Sequence, residues 1–319
     1  MVRSMYAHGQ RMSLPLHFQS PSNPLAPILV LDSGLGGLTV ARAIRRQLPH
    51  ERLLYFGDTA RVPYGSKSPQ TITACVSQIV RYLQPHEPKH VVVACNSASA
   101  VALPALRDRF PGLSISGVID PGARAAARAA GEKNNPTIAV IATEATVRSK
   151  AYERAIARRR NKARLVLRST PLLVPMIEEG RKADDPLVTL CLEQYLLPLK
   201  KHRPDVLVLG CTHYPLLRKA IARVMGDDCT VIDSAHAAAE DIEARLASAG
   251  LLRPAVAGVL DPHPPIRLFA SDESPRFAKL AARFLGEPVD AVRVVDPEVL
   301  YEQEAPKRSR RIPEPLLSA

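Results

Sequence analysis

Residues 73–95 read TACVSQIVRYLQPHEPKHVVVAC, and residues 189–211 read TLCLEQYLLPLKKHRPDVLVLGC. Laid over one another without a gap, they share Thr73/Thr189, Cys75/Cys191, Gln78/Gln194, Leu83/Leu199, His86/His202, Pro88/Pro204, Val92/Val208 and Cys95/Cys211. That is eight of 23 positions at a constant offset of 116. Each copy reads as a helix, a turn carrying His-x-Pro, an apolar strand and then a cysteine. Duplication of one α/β unit explains the gapless register better than convergent patterning, because the register covers both cysteines. Two looser echoes accompany it. Ile28–Leu31 before Asp32 is matched by Ile138–Ile141 before Ala142-Thr143, and Val118-Ile119-Asp120 is matched by Val231-Ile232-Asp233.

The same alternation runs along the chain. Apolar runs predict strands at 28–31, 53–56, 91–94, 138–141, 165–167, 206–209 and 230–232. Helical patterns fall at 38–47, 69–83, 101–109, 146–159, 186–200, 215–225 and 237–249. Strands of about four apolar residues alternating with amphipathic helices imply parallel sheets covered on both faces. The fold class is therefore α/β: two pseudo-symmetric three-layer domains with parallel central sheets and the active site in the cleft between them. The expected division is a flexible extension at 1–26 and a discontinuous first domain at 27–118 plus 235–299. A second domain follows at 119–234, and a basic flexible tail at 300–319.

Composition bounds the function. The 319 residues are 46% hydrophobic and 23% charged, as in a soluble globular enzyme. No apolar run reaches the roughly 18 residues of a membrane span, and the N-terminal stretch lacks the apolar core of a secretory signal. Five cysteines, with no close pair, fit a reducing compartment. Tryptophan is absent and aromatics are 4%, so stacking surfaces for single-stranded nucleic acid are scarce. The net charge of +12 is concentrated in Lys150, Arg154, Arg158, Arg159, Arg160, Lys162, Arg164 and Arg168. A solvated helix face accounts for this run better than a nucleic-acid patch does. Nucleic acid is accordingly not an expected partner.

Functional residues in such folds sit just past the carboxyl ends of strands. There the sequence places Cys95-Asn96-Ser97 in one repeat and Cys211-Thr212-His213 in the other. A single cysteine at such a place is usually a small core residue; two at repeat-related strand ends are harder to dismiss. Redox exchange favours thiols close in sequence. A metal needs three or four ligands, and Cys211-Thr-His213 supplies only a fragment. Nucleophilic catalysis needs one cysteine with a base. Removing a proton from one face of a carbon and returning one to the other needs two acid/base groups flanking the substrate. That reaction is racemisation.

Other fragments fit the same cleft. Asp32-Ser33-Gly34-Leu35-Gly36-Gly37 follows the first strand. A dinucleotide fingerprint would need glycine at position 39, where Thr39 stands, and Asp32 would repel a pyrophosphate. The loop suits a small carboxylate instead. Residues 57–67 form a turn-rich loop, and Pro175-Met176-Ile177-Glu178-Glu179 brings acid near the second half-site, although a surface turn and a solvated helix end account for these equally well.

The stretches LDSGLGGLTV, YFGDTARVPYGSKS, VVVACNSASA, VIDPG, IATEATVRSKAY, PLLVPMIEEG, VLGCTHYPLL and VIDSA together resemble the glutamate racemase family, from about Ile28 to about Val294. The resemblance implies cofactor-independent, two-base interconversion of L- and D-glutamate, the latter for peptidoglycan, cell-wall biogenesis and cell shape. It implies Cys95 and Cys211 as the proton donors and acceptors, assisted by Asp32, Glu178 and His213. Substrate would be held by Asp32, Ser33, Tyr64, Gly65, Asn96, Ser97, Thr212 and His213, with Thr146, and Thr143 beside it, in a motif that also touches it. The family usually has threonine where Ser97 stands, and the hydroxyl survives. No cofactor, metal or membrane is expected; glutamate is the expected partner, with a cytoplasmic homodimer as the assembly. The competing readings are an aspartate or related racemase, and a non-catalytic protein binding an acidic metabolite or nucleic acid.

Overall fold

Val30, Val92 and Val208 lie at the centres of five- or four-residue runs in which every side chain is buried, the signature of strands covered on both faces. The computed structural model describes residues 22–255, 266–274, 276–289 and 291–302. In chain order the strands are β1 (Ile28–Asp32), β2 (Leu53–Gly57), β3 (His90–Val93), β4 (Ile115–Gly117), β5 (Thr137–Ala142), β6 (Arg164–Ser169), β7 (Val206–Gly210), β8 (Thr230–Asp233), β9 (Arg267–Ala270) and β10 (Val292–Val294). They form two wholly parallel sheets, ordered β10-β9-β2-β1-β3-β4 and β6-β5-β7-β8.

The second sheet repeats the order β2-β1-β3-β4 of the first. Within the aligned repeat, helix Pro69–Leu83 leads to β3 as helix Pro186–Lys200 leads to β7. Even the turn is copied: Glu87 and Arg203, 116 residues apart, both take the left-handed conformation at φ 48°. The two sheets share an apolar core that runs from Val30 and Ile44 on one side to Leu207 and Ile221 on the other. Helix Ser234–Ser248 packs between helices Leu38–Gln47 and Ile119–Ala129.

All seven strands expected from the apolar runs are present. Three others, β4, β9 and β10, are short; β9 and β10 carry arginines, which hid them. Three differences matter. The helix expected over 101–109 is found at Leu103–Arg109, and a separate short helix, Asn96–Val101, precedes it with Cys95 as its cap residue. The helix expected over 146–159 is broken into Glu144–Arg148 and Ala151–Ala157, with Lys150 at φ 54° between them. The match of Val118-Ile119-Asp120 to β8 is not structural, because Ile119 and Asp120 open a helix.

Most of the two terminal stretches expected to be flexible, 1–26 and 300–319, lies outside the described residues. The part of the extension that is described is anchored: Lys89 donates from Nζ to the carbonyls of Pro24 at 2.7 Å and Leu251 at 2.8 Å. Lys89 also pairs with Glu51 at 2.6 Å, both fully buried, and Glu51 accepts from the Arg253 N–H. Removing one member of such a pair strands a charge, at a cost of about 3–5 kcal/mol. At the other end, the expected tail begins inside helix Pro297–Glu302, where Leu300 is buried.

The basic stretch is largely consumed internally. Arg158 and Arg159 pair with Asp120, Arg160 donates to the Gly131 carbonyl, and Arg168 lies over the Tyr195 ring. Among the described residues no helix is long and apolar enough to cross a membrane.

His90 gives the fold a pH dependence. Its ring is buried between Ser114 Oγ (2.7 Å) and Ser116 Oγ (2.8 Å), and burial lowers its pKa to about 4. Below pH 6.5 the unfolded chain takes up a proton that the folded chain refuses until about pH 4. Stability is therefore full above pH 6.5 and falls toward pH 4. In urea titrations, this residue should account for about 2 kcal/mol of the loss between pH 7.5 and pH 5. His90→Gln should flatten the profile by that amount.

Candidate active site

Two neighbouring strand ends build the first half. β1 ends at Asp32, and the loop Ser33–Gly37 leads into helix Leu38–Gln47. β3 runs beside β1, with the Ala94 N–H bonded to the Leu31 carbonyl at 2.7 Å, so Cys95 emerges next to Asp32. Both are buried. Asp32 Oδ2 accepts from the Gly34 N–H at 3.0 Å, while Oδ1 is buried with no hydrogen-bond partner among the described residues. Burial raises the Asp32 pKa, and the nearby charge of His213 and the Gly34 and Gly37 N–H groups oppose this. Burial also pushes the Cys95 thiol up to about 12, and the Asp32 charge adds to it. The Ser33 hydroxyl and the Ala98 N–H pull the other way.

The second half stands at the end of β7. Cys211 Sγ is 3.8 Å from His213 Nδ1, and His213 Nε2 is 2.9 Å from Glu178 Oε1. Burial alone would keep this imidazole neutral. The bonds to Cys211 and Glu178 overcome it and raise the His213 pKa to about 10. One thiol thus keeps its proton beside a carboxylate, and the other has a protonated imidazole at hand. The charge of Cys211 is felt at Cys95, and that of His213 at Asp32, so the halves form one electrostatic unit.

The halves interlock. Thr39 Oγ1 donates to the Thr212 carbonyl at 2.9 Å. A methyl group on Gly36 would lie 2.3 Å from Thr212 Oγ1 and 2.4 Å from His213 Nδ1, so only glycine allows this approach. A hydroxyl cluster forms a third seam: Ser97 Oγ lies 2.9 Å from Thr143 Oγ1, which lies 3.1 Å from Thr146 Oγ1. Gly65 backs directly onto Thr143.

The structure gathers Asp32, Ser33, Cys95, Asn96, Ser97, Thr146, Cys211, Thr212 and His213 at the facing strand ends. Glu178 is half exposed at the rim and reaches inward through His213. Tyr64 is buried, and its hydroxyl donates to the buried Asp58, which also accepts from Arg61 and Ser271. Sequence reading assigned no role to Thr39, Asp58, Tyr152 or Ser234. Ser234 follows β8 directly, so the strand-end rule reaches it. Tyr152 gives no such signal. Among the described residues no cluster of three or more His, Cys, Asp or Glu is arranged to hold a metal ion.

A family model described as Asp/Glu/Hydantoin racemase matches residues 28–242. The chain belongs to the Asp/Glu/hydantoin racemase family. Among relatives, it is 40% identical to a protein from Chlorobaculum tepidum named glutamate racemase, over 88% of this chain and 99% of that one. Among solved structures, it is similar to glutamate racemase isoform RacE1 of Bacillus anthracis, with a TM-score of 0.77 and 39% identity over 85% of this chain and 97% of that one. It is equally similar in fold to glutamate racemase of Francisella tularensis in complex with D-glutamate, with a TM-score of 0.77 and 32% identity over 86% and 98%. The matched span runs from the start of β1 into helix Ser234–Ser248, and so takes in both half-sites of this racemase-family chain.

Two expectations follow. In NMR titrations, His213 should stay protonated well past neutral pH. Glu178→Gln should shift its midpoint downward, because a stabiliser of the cation has been weakened; a midpoint near 6.5 in the parent would contradict the assignment. Gly36→Ala should cost about 1–3 kcal/mol in urea unfolding, as overpacking does.

Proposed function

We propose that this chain interconverts L- and D-glutamate by a two-base mechanism without a cofactor. The observation that carries the reading is the pair of thiols at equivalent strand ends of two like-ordered sheets, each with its own polar neighbour. The relatives named glutamate racemase, at about 40% identity over nearly their whole length, supply the substrate.

In this reading one cysteine, as thiolate, takes the α-hydrogen as a proton. The other, as thiol, gives its proton to the opposite face. The two have then exchanged states, and the reverse reaction starts from the exchanged pair. Asp32 assists at Cys95; His213, braced by Glu178, assists at Cys211. The α-hydrogen is very weakly acidic, so the developing negative charge needs preorganised donors. Ser33, Asn96, Ser97 and Thr212 are the candidates for the α-carboxylate, with Thr146 and the backbone at Tyr64 and Gly65 closing the site. Each such donor is worth about 3–4 kcal/mol in comparable sites.

The reading carries a domain division with it. Residues 27–118 and 235–299 form the unit around the six-stranded sheet, and 119–234 form the other. It also places the enzyme in the cytoplasm, as a homodimer supplying D-glutamate for peptidoglycan.

The test is incubation with L- or D-glutamate in D₂O with no cofactor added. Solvent deuterium should enter the α-position and the opposite enantiomer should appear, with aspartate a poor substrate. Cys95→Ala and Cys211→Ala should each cut racemisation by roughly 10²–10⁴-fold or more. Two-way activity retained in either variant would remove the two-base mechanism.

A further inference from the structure

Tyr152 is fully buried in helix Ala151–Ala157, and the left-handed turn at Lys150 just before it redirects the chain. Its ring lies under the end of β7, where a methyl group on Gly210 would meet Cε2 at 3.0 Å. Gly210 immediately precedes Cys211. The hydroxyl crosses to the other half-site and donates to Asn96 Oδ1 at 2.8 Å. Asn96 immediately follows Cys95. One side chain thus touches the neighbours of both thiols.

An asparagine amide has an accepting edge and a donating edge, and its surroundings decide which faces a ligand. Here the acceptor is committed to the phenol. The only other partner of the Asn96 amide among the described residues is Ser234 Oγ, a long 3.5 Å from Nδ2. We propose that Tyr152 is a positioning residue, which holds Asn96 with its N–H₂ edge available to the cleft and so makes this position a donor to the substrate carboxylate. This rests on the reading of Asn96 as a substrate-binding residue. Burial raises the Tyr152 pKa, so the phenol remains a donor at neutral pH. Without that donor the amide is free to rotate and present oxygen to a carboxylate, which repels it.

The test is a double-mutant cycle of Tyr152→Phe and Asn96→Ala, with kcat and KM for glutamate and thermal unfolding measured for each protein. Tyr152→Phe should raise KM about tenfold, more than it lowers kcat. In the Asn96→Ala background the same change should alter KM by less than about twofold. An unchanged KM in the parent background, or an equal rise in both, would overturn the proposal. Should Tyr152→Phe fail to fold, Asn96→Asp decides: it keeps the acceptor for the phenol but offers an oxygen in place of N–H₂. Its KM should rise at least tenfold, and a parent-like KM would overturn the idea. A parent chain that exchanges no α-deuterium defeats the functional reading. A parent that exchanges, with both variants indifferent, defeats only this inference.

Discussion

Asp32 holds a carboxylate oxygen in the protein interior with no hydrogen-bond partner among the described residues, and the positive charge that acts on it is that of His213 on the facing loop. Burying an unpaired charge is costly, and the arrangement persists only if the opposite charge stays close. That need explains the tight seam. Gly36 lets the loop after β1 reach the Thr212-His213 loop, Thr39 ties it there, and the edge of the His213 imidazole meets the Phe284 ring, with centroids 5.0 Å apart. Loosening the seam would separate the charges of Asp32 and His213, the first of which acts on the Cys95 thiol.

Much of this was written in the sequence, because parallel strands buried on both faces need unbroken apolar runs and leave little room for ambiguity. The gapless repeat by itself puts both cysteines at strand ends. The edge strand β10 and its neighbour β9 were not visible: Arg267 opens β9 and Arg293 sits in the middle of β10, both at exposed positions. Helix breaks leave no mark in the sequence pattern. Nothing in the local pattern announces that Lys150 turns left-handed, since the side chain that benefits, Tyr152, finds its partner 56 residues earlier in the chain. The loop spacing around Tyr64 leaves its role open, and only the fold shows that its hydroxyl is engaged by Asp58.

The charge of the chain teaches a related lesson. A run of eight basic residues between 150 and 168 invites a search for an anionic partner. In the fold, several of them answer Asp120, backbone carbonyls and the Tyr195 ring. Basic density along a sequence becomes an interaction surface only when the fold leaves it unanswered.

The copied architecture is not copied chemistry. Position 97, two residues past Cys95, is serine where position 213, two residues past Cys211, is histidine; Asp32 closes β1 where Ala142 closes β5. Under the proposed reading, each mirror image of the substrate surrenders its hydrogen to a differently equipped sulfur. Thermodynamics limits what that lopsidedness can do. Enantiomers have equal free energy, so the overall equilibrium constant is one and kcat/KM must be the same in both directions. The unlike neighbours can show themselves only by trading turnover against affinity, one hand of the substrate bound more tightly and processed more slowly than the other.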